Sequence, residues 1–103
     1  MANAKEEFIE HTKDKQVKCA SISHDYGWKI DNKSKHILKC NYTQEEYNHF
    51  IKTLYFDYDH GYGGQEMFGT IWYNDGTWSD RGEYDGSEWW QYQSCPSIPK
   101  KLL

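Results

Sequence analysis

Two short stretches, Asn74-Asp75-Gly76 followed by Thr77 and Tyr84-Asp85-Gly86 followed by Ser87, constrain this chain more than any other feature. Each sets Asp-Gly before a small hydroxyl residue, between runs rich in aromatic side chains. Glycine takes the left-handed conformation that a three-residue hairpin loop with a bulge requires, so the pattern reads as two successive hairpins. The expected strands are residues 67–73, 77–83 and 87–93. With three-residue loops at both turns, Tyr73 pairs with Thr77 and Glu83 with Ser87. Counting outward sets Trp72 opposite Trp78, Trp78 opposite Tyr92 and Asp80 opposite Trp90, which gathers four aromatic rings on one face. The reverse face takes Ile71, Ser79 and Gln91, with Arg81 opposite Trp89. A two-residue Asp75-Gly76 loop would pair Tyr73 with Trp78 and turn the first strand over, and the longer loop is preferred.

The Trp72/Trp78 face is expected to be core beneath a helix, in preference to an exposed platform for a base or a partner. Trp89 and Trp90 are adjacent and must point to opposite sides of a regular strand. One of them therefore stands on the less buried face and is the better binding candidate.

Charge is distributed unevenly along the 103 residues, whose net formal charge is −4. Residues 55–92 hold 12 of the 18 aromatic residues and 8 of the 16 carboxylates, against one base, Arg81. The remainder carries 11 bases and 8 acids. An acidic aromatic sheet repels phosphates, so direct duplex DNA binding is not expected, and a basic partner suits it better. The length fits one domain with a modest core, built largely from Tyr, Trp and Phe because only 37% of the chain is hydrophobic. Cys19, Cys40 and Cys95 are odd in number and lack metal-ligand spacing, which points to a reduced cytoplasmic protein without a disulfide framework. The polar N-terminal residues resemble neither a signal peptide nor a membrane span.

In the first half, Asn3 is expected to cap a helix over 4–13, with Phe8, Ile9 and Thr12 facing inward. Residues 16–23 read as a strand, 24–27 as a turn, 28–30 as a short strand, 31–34 as a further turn and 35–42 as another strand. Thr43-Gln44-Glu45-Glu46 is a capping box, followed by Tyr47, Phe50, Ile51 and Leu54 at helical spacing. That helix is expected over 43–56, with Tyr42 and Tyr47 as a hydrophobic staple. Residues 57–65 form a Gly-rich connection and 94–103 a tail. Together these elements predict a single α+β domain: an N-terminal helix over 1–15, strands within 16–42, a helix, and an antiparallel meander over 67–93.

Catalytic and metal chemistry find weak support. Asp57 and Asp59 precede His60-Gly61 but lack the third acidic position and terminal glutamate of a calcium loop, so a solvated turn is the simpler reading. His24 with His60 near Cys19 or Cys40 would make a thiol site only if folding brought them together. Gly61-Tyr62-Gly63-Gly64 lacks the lysine and hydroxyl of a phosphate loop and reads better as a hinge or contact loop. No catalytic residue, metal or cofactor is expected.

The run FGTIWYNDGTWSDRGEYDGSEWW, with the preceding FDYDHGYGGQ, resembles short proteins encoded in accessory regions of bacteriophages and prophages. The likeness spans about residues 50–99 and is most specific at Glu83–Trp90. What it implies is an inhibitor of host defence, of the anti-CRISPR or anti-restriction class, acting in the host cytoplasm as a monomer or homodimer. The expected partner is a host protein with a basic nucleic-acid-binding surface. Asp75, Asp80, Glu83, Asp85 and Glu88 would stand in for phosphates, Tyr84 with Trp89 or Trp90 would anchor, and Asp57 and Asp59 complete the expected partner-binding residues. The competing expectation is a small-ligand or single-strand nucleic-acid module that uses the aromatic face, with Arg81 beside Trp89.

Overall fold

The computed structural model describes residues 2–25, 33–58 and 64–102. In chain order it has β1 (Ala2–Asn3), α1 (Ala4–Thr12), β2 (Val17–Asp25), β3 (Lys33–Leu38), α2 (Gln44–Thr53), β4 (Asp57–Tyr58), β5 (Met67–Tyr73), β6 (Trp78–Tyr84) and β7 (Ser87–Gln93), then a 3-10 turn (Lys100–Leu102). The five longer strands form one antiparallel sheet in the order β3-β2-β5-β6-β7, and β1 pairs with β4 in a small second sheet. This is the expected α+β domain with its C-terminal meander. The short β1–β4 pair was not foreseen, since two-residue strands carry no periodicity to read.

Both helices lie on one face of the large sheet. Asn3 caps α1 by accepting a hydrogen bond from the Glu6 backbone at 3.1 Å. The buried stripe of α1 is Ala4, Phe8 and Thr12, spaced by four residues, while Ile9 is exposed. The expectation for Ile9 thus fails: it sits one residue beyond Phe8, about 100° around the helix and off that stripe. The capping box of α2 is complete, with Thr43 N donating to Glu46 Oε1 at 2.9 Å and Glu46 N to Thr43 Oγ1 at 3.1 Å. Tyr42 stacks on Tyr47 with ring centroids 5.8 Å apart, as a staple should. Phe8 of α1 meets Phe50 of α2 edge-on at 5.4 Å. Ala20, Ile22, Leu38, Met67, Ile71, Tyr73 and Trp90 rise from the sheet to meet Phe8, Phe50, Ile51, Leu54 and Tyr58.

Boundaries in the first half differ from expectation. His24 and Asp25 continue β2, paired with Ser34 and Lys33 of β3, where a turn was expected. β3 ends at Leu38, because the chain turns at Asn41, whose φ of 61° ends the extended run. The strand expected at 28–30 lies outside the described residues, as do residues 26, 27, 31 and 32 of the turns expected beside it.

The two meander turns diverge. At the first, Tyr73 N donates to Thr77 O at 3.0 Å and Trp72 pairs with Trp78, so the loop has the three residues expected. At the second, Tyr84 pairs with Ser87 and Glu83 with Glu88, leaving a two-residue loop, Asp85-Gly86, with φ of 53° and 85°. Two left-handed residues in succession are the signature of a tight primed turn. The expected three-residue loop is therefore wrong by one residue, and β7 presents its faces the other way round. Trp78 lies opposite Gln93, Asp80 opposite Gln91 and Arg81 opposite Trp90. The expected four-ring cluster does not form: Trp72 and Trp78 share one face, while Trp90 and Tyr92 belong to the other.

Candidate binding surface

No helix covers the second face of the large sheet among the described residues, and that face is aromatic. Phe68 and Trp72 of β5 are 43% and 42% exposed, and Trp89 of β7 is 41% exposed. Trp78 stands beside them, partly buried. The expectation that the Trp72/Trp78 face is the covered one is overturned, since the core residues Ile71 and Tyr73 alternate with Trp72 and occupy the helix side. Of the adjacent tryptophans, Trp89 is the exposed member and Trp90, at 8%, the buried one.

Trp89 is held by what lies beneath it. A Cβ at Gly82 would come within 2.6 Å of Trp89 Nε1 and 2.8 Å of Gln91 Oε1. Only glycine lets the indole rest on the β6 backbone. Asp80, on the same face, accepts from the amides of Gln91 at 2.8 Å and Gln93 at 3.3 Å. The hairpin tip then projects Glu83, Tyr84 and Asp85, all exposed. Glu83 also accepts a hydrogen bond from the Gly86 backbone at 3.1 Å, which closes the turn.

The remaining candidate residues are placed elsewhere. Glu88 points under the helices, where its carboxylate meets Arg81 Nη2 at 2.5 Å with both side chains almost fully buried. Its oxygens also accept from the backbone of Glu66 at 2.7 Å and Met67 at 3.0 Å. Arg81 donates to Tyr58 Oη at 3.0 Å and lies 4.9 Å from the Trp90 ring centroid. Tyr58 in turn donates to Glu7, and burial with that bond pushes its phenol well above the usual range. Glu88 and Trp90 are therefore interior residues and cannot be displayed to a partner, because the one-residue shift at the second turn sends them inward. Arg81 likewise does not stand beside Trp89 on the open face.

Asp75 is exposed, yet it is paired with Lys15 at 2.9 Å and accepts from Thr77 N at 2.9 Å and Thr77 Oγ1 at 2.5 Å. The Thr77 hydroxyl first, then Lys15, holds its carboxyl far below the usual range. Asp57 accepts from Asn3 Nδ2 at 3.0 Å, across the β1–β4 pair. Asp59, His60 and the Gly-rich segment through Gly63 lie outside the described residues. Of the ten candidates, Asp80, Glu83, Tyr84, Asp85 and Trp89 come together on one hairpin.

Two features escaped the sequence reading. Arg81–Glu88 was invisible because its members are assigned to opposite faces under the longer loop. Phe68 joined the open face without having been singled out, although its alternation with Met67 and Trp72 carried the signal. His24 is buried on the helix side, its ring 4.2 Å from that of Phe56, whereas Cys19 faces the opposite side of the same strand. Those two residues do not form the thiol–imidazole pair considered from the sequence. Among the described residues no group of three His, Cys, Asp or Glu could hold a metal ion, and no helix is long and apolar enough to cross a membrane.

Fold and surface together define a small α+β domain that covers one face of its sheet with helices and, among the described residues, leaves the other aromatic and open. Searches of protein-family models, curated proteins and solved structures each found no match.

Proposed function

We propose that the protein is a small acidic inhibitor that occupies the basic surface of a nucleic-acid-handling host defence protein, in the manner of anti-CRISPR or anti-restriction proteins. The observation that carries this reading is the β6–β7 hairpin, on which Asp80 shares the open face with two exposed rings, Tyr84 and Trp89, and Glu83 and Asp85 are exposed at the tip. Arg81, the one base in residues 55–92, is buried against Glu88, and among the described residues no ion pair engages Glu83, Asp85 or Asp80. Charge complementarity selects a basic partner and repels phosphate. Tyr84 and Trp89 supply the desolvated anchors that charge alone lacks.

The competing reading, a single-strand binder stacking bases on Phe68, Trp72 and Trp89, loses its expected cation because Arg81 faces the other way. Affinity capture from a bacterial lysate with the double variant Glu83→Lys and Asp85→Lys tests the choice. A nuclease or nucleic-acid-binding protein held by the native chain, released by high salt or competing duplex DNA and absent with the variant, is the expected result. Equal capture by both chains rejects the hairpin as the interface. Quenching of the chain's own tryptophan fluorescence by an oligonucleotide favours the single-strand reading instead.

A further inference from the structure

The turn that ends β3 brings Cys40 back towards Cys19 on β2. The two thiols border the same cavity, although 21 positions separate them in the chain and the sequence gives no spacing signal. Both line one cavity of about 280 Å³ at the end of the open face, with Lys18, Trp72, Tyr73, Gly76 and Thr77. Both are free thiols; Cys19 is half-buried and Cys40 exposed. Cys95 lies in the tail beyond β7 and is exposed without a thiol neighbour in that cavity.

The geometry points to Cys19 and Cys40 as a redox modification site, a thiol pair that closes to an intramolecular disulfide on reaction with a low-molecular-weight disulfide. This assignment is independent of the proposed function, since the pair lies at the end of the sheet away from the β6–β7 tip. Exposure gives the two sulfurs different roles. The accessible Cys40 thiolate attacks one sulfur of the reagent, forms a mixed disulfide and expels one thiolate. Cys19 then loses its proton to solvent and attacks Cys40 Sγ, and the second reagent thiolate leaves. The sum is two protein thiols and one reagent disulfide giving one protein disulfide and two reagent thiols. Burial and the neighbouring thiol raise the pKa of Cys19, which makes it a poor first attacker, while Lys18 nearby favours its thiolate.

The bond would join the start of β2 to the segment leading into α2 and close a loop of about 20 residues, a length at which a cross-link stabilises appreciably. The test uses the full chain with Cys95→Ser, titrated with oxidised glutathione. The expected product has lost two hydrogens by intact mass, yields a Cys19–Cys40 linked peptide on non-reducing digestion, and melts on the order of 10 °C higher than the reduced chain. Dithiothreitol should reverse all three changes. The variant Cys19→Ser should instead stop at a glutathione adduct on Cys40. A persistent adduct on Cys40 in the parent chain, or a product linked between molecules, overturns the assignment.

Discussion

The two hairpin turns share an Asp-Gly dipeptide and a following hydroxyl residue, yet one closes with three residues and the other with two. Their side chains explain the difference. Asp75 accepts from both the backbone and the hydroxyl of Thr77 and is anchored by Lys15, so the first loop is held by contacts within and beside itself. Asp85 has no such arrangement, and Glu83 supplies the bond to Gly86 from the strand. The register of β7 is set instead by what lies behind the turn. The two-residue loop sends Glu88 inward to Arg81 and Trp90 beneath α1, and lays Trp89 on Gly82. Slipping β7 by one residue would turn Glu88 outward and leave the Arg81 guanidinium buried without its partner. A local pattern fixes the first hairpin, and a tertiary ion pair fixes the second.

The largest effect should therefore come from Glu88→Ala. It leaves Arg81 buried and uncompensated, a change that costs about 3–5 kcal/mol in comparable pairs. Denaturant unfolding should register a loss of that size, and replacing both partners, Arg81→Met with Glu88→Leu, should recover only part of it, because the Glu66 and Met67 backbone donors still lose their acceptor. A Glu88→Ala chain as stable as the parent would mean that the turn alone specifies the second register. The same substitution sharpens the functional reading, because an interior Glu88 predicts that conservative change to Gln leaves partner capture at the hairpin tip intact.

Gly82→Ala tests the same hairpin from its open side. The new methyl would collide with the Trp89 ring, which can swing outward because that face is uncovered. Stability should change by about 1 kcal/mol or less, since alanine's better strand propensity offsets the lost contact. Tryptophan emission should shift to longer wavelength as the indole enters water. Unchanged emission would show that Trp89 does not rest on the β6 backbone.

The chain's legibility follows the same division between local and tertiary causes. The α2 capping box, the Asn3 cap, the meander strands and the first loop were readable because their determinants lie within four residues of one another. The faces of β7 were not, because a Tyr-Asp-Gly-Ser stretch is compatible with two loop lengths and the deciding contact joins Arg81 to Glu88 across the interior. One residue of error exchanged Trp89's neighbours and moved Glu88 and Trp90 out of the candidate surface. Asp80, Glu83, Tyr84 and Asp85 survived it, since they stand on β6 or at the tip, where the shift does not reorient them. The cavity that Cys19 and Cys40 share was equally hidden, depending on how the chain turns after β3.

The smallest effects should separate the two aspartates themselves. Asp75→Asn keeps an oxygen for Thr77 but removes the charge that Lys15 and the Thr77 donors favour, whereas Asp85→Asn keeps a residue well suited to the left-handed conformation. Asp85→Asn should thus leave stability within about 0.5 kcal/mol of the parent, while Asp75→Asn should lower it measurably near neutral pH. The sign of the pH dependence follows from the direction of the shift. The folded chain holds the Asp75 carboxyl below its ordinary value of 3.8, so the folded state favours the carboxylate. Its contribution is complete above that value and is lost as the pH falls through the lowered folded value. Melting curves of the parent and Asp75→Asn should accordingly diverge at pH 7 and converge in acid. Added salt should narrow the gap at pH 7 by screening Lys15. If both variants instead behave alike at every pH, the first loop is not held by its aspartate, and the contrast between the hairpins must come from elsewhere in the sheet.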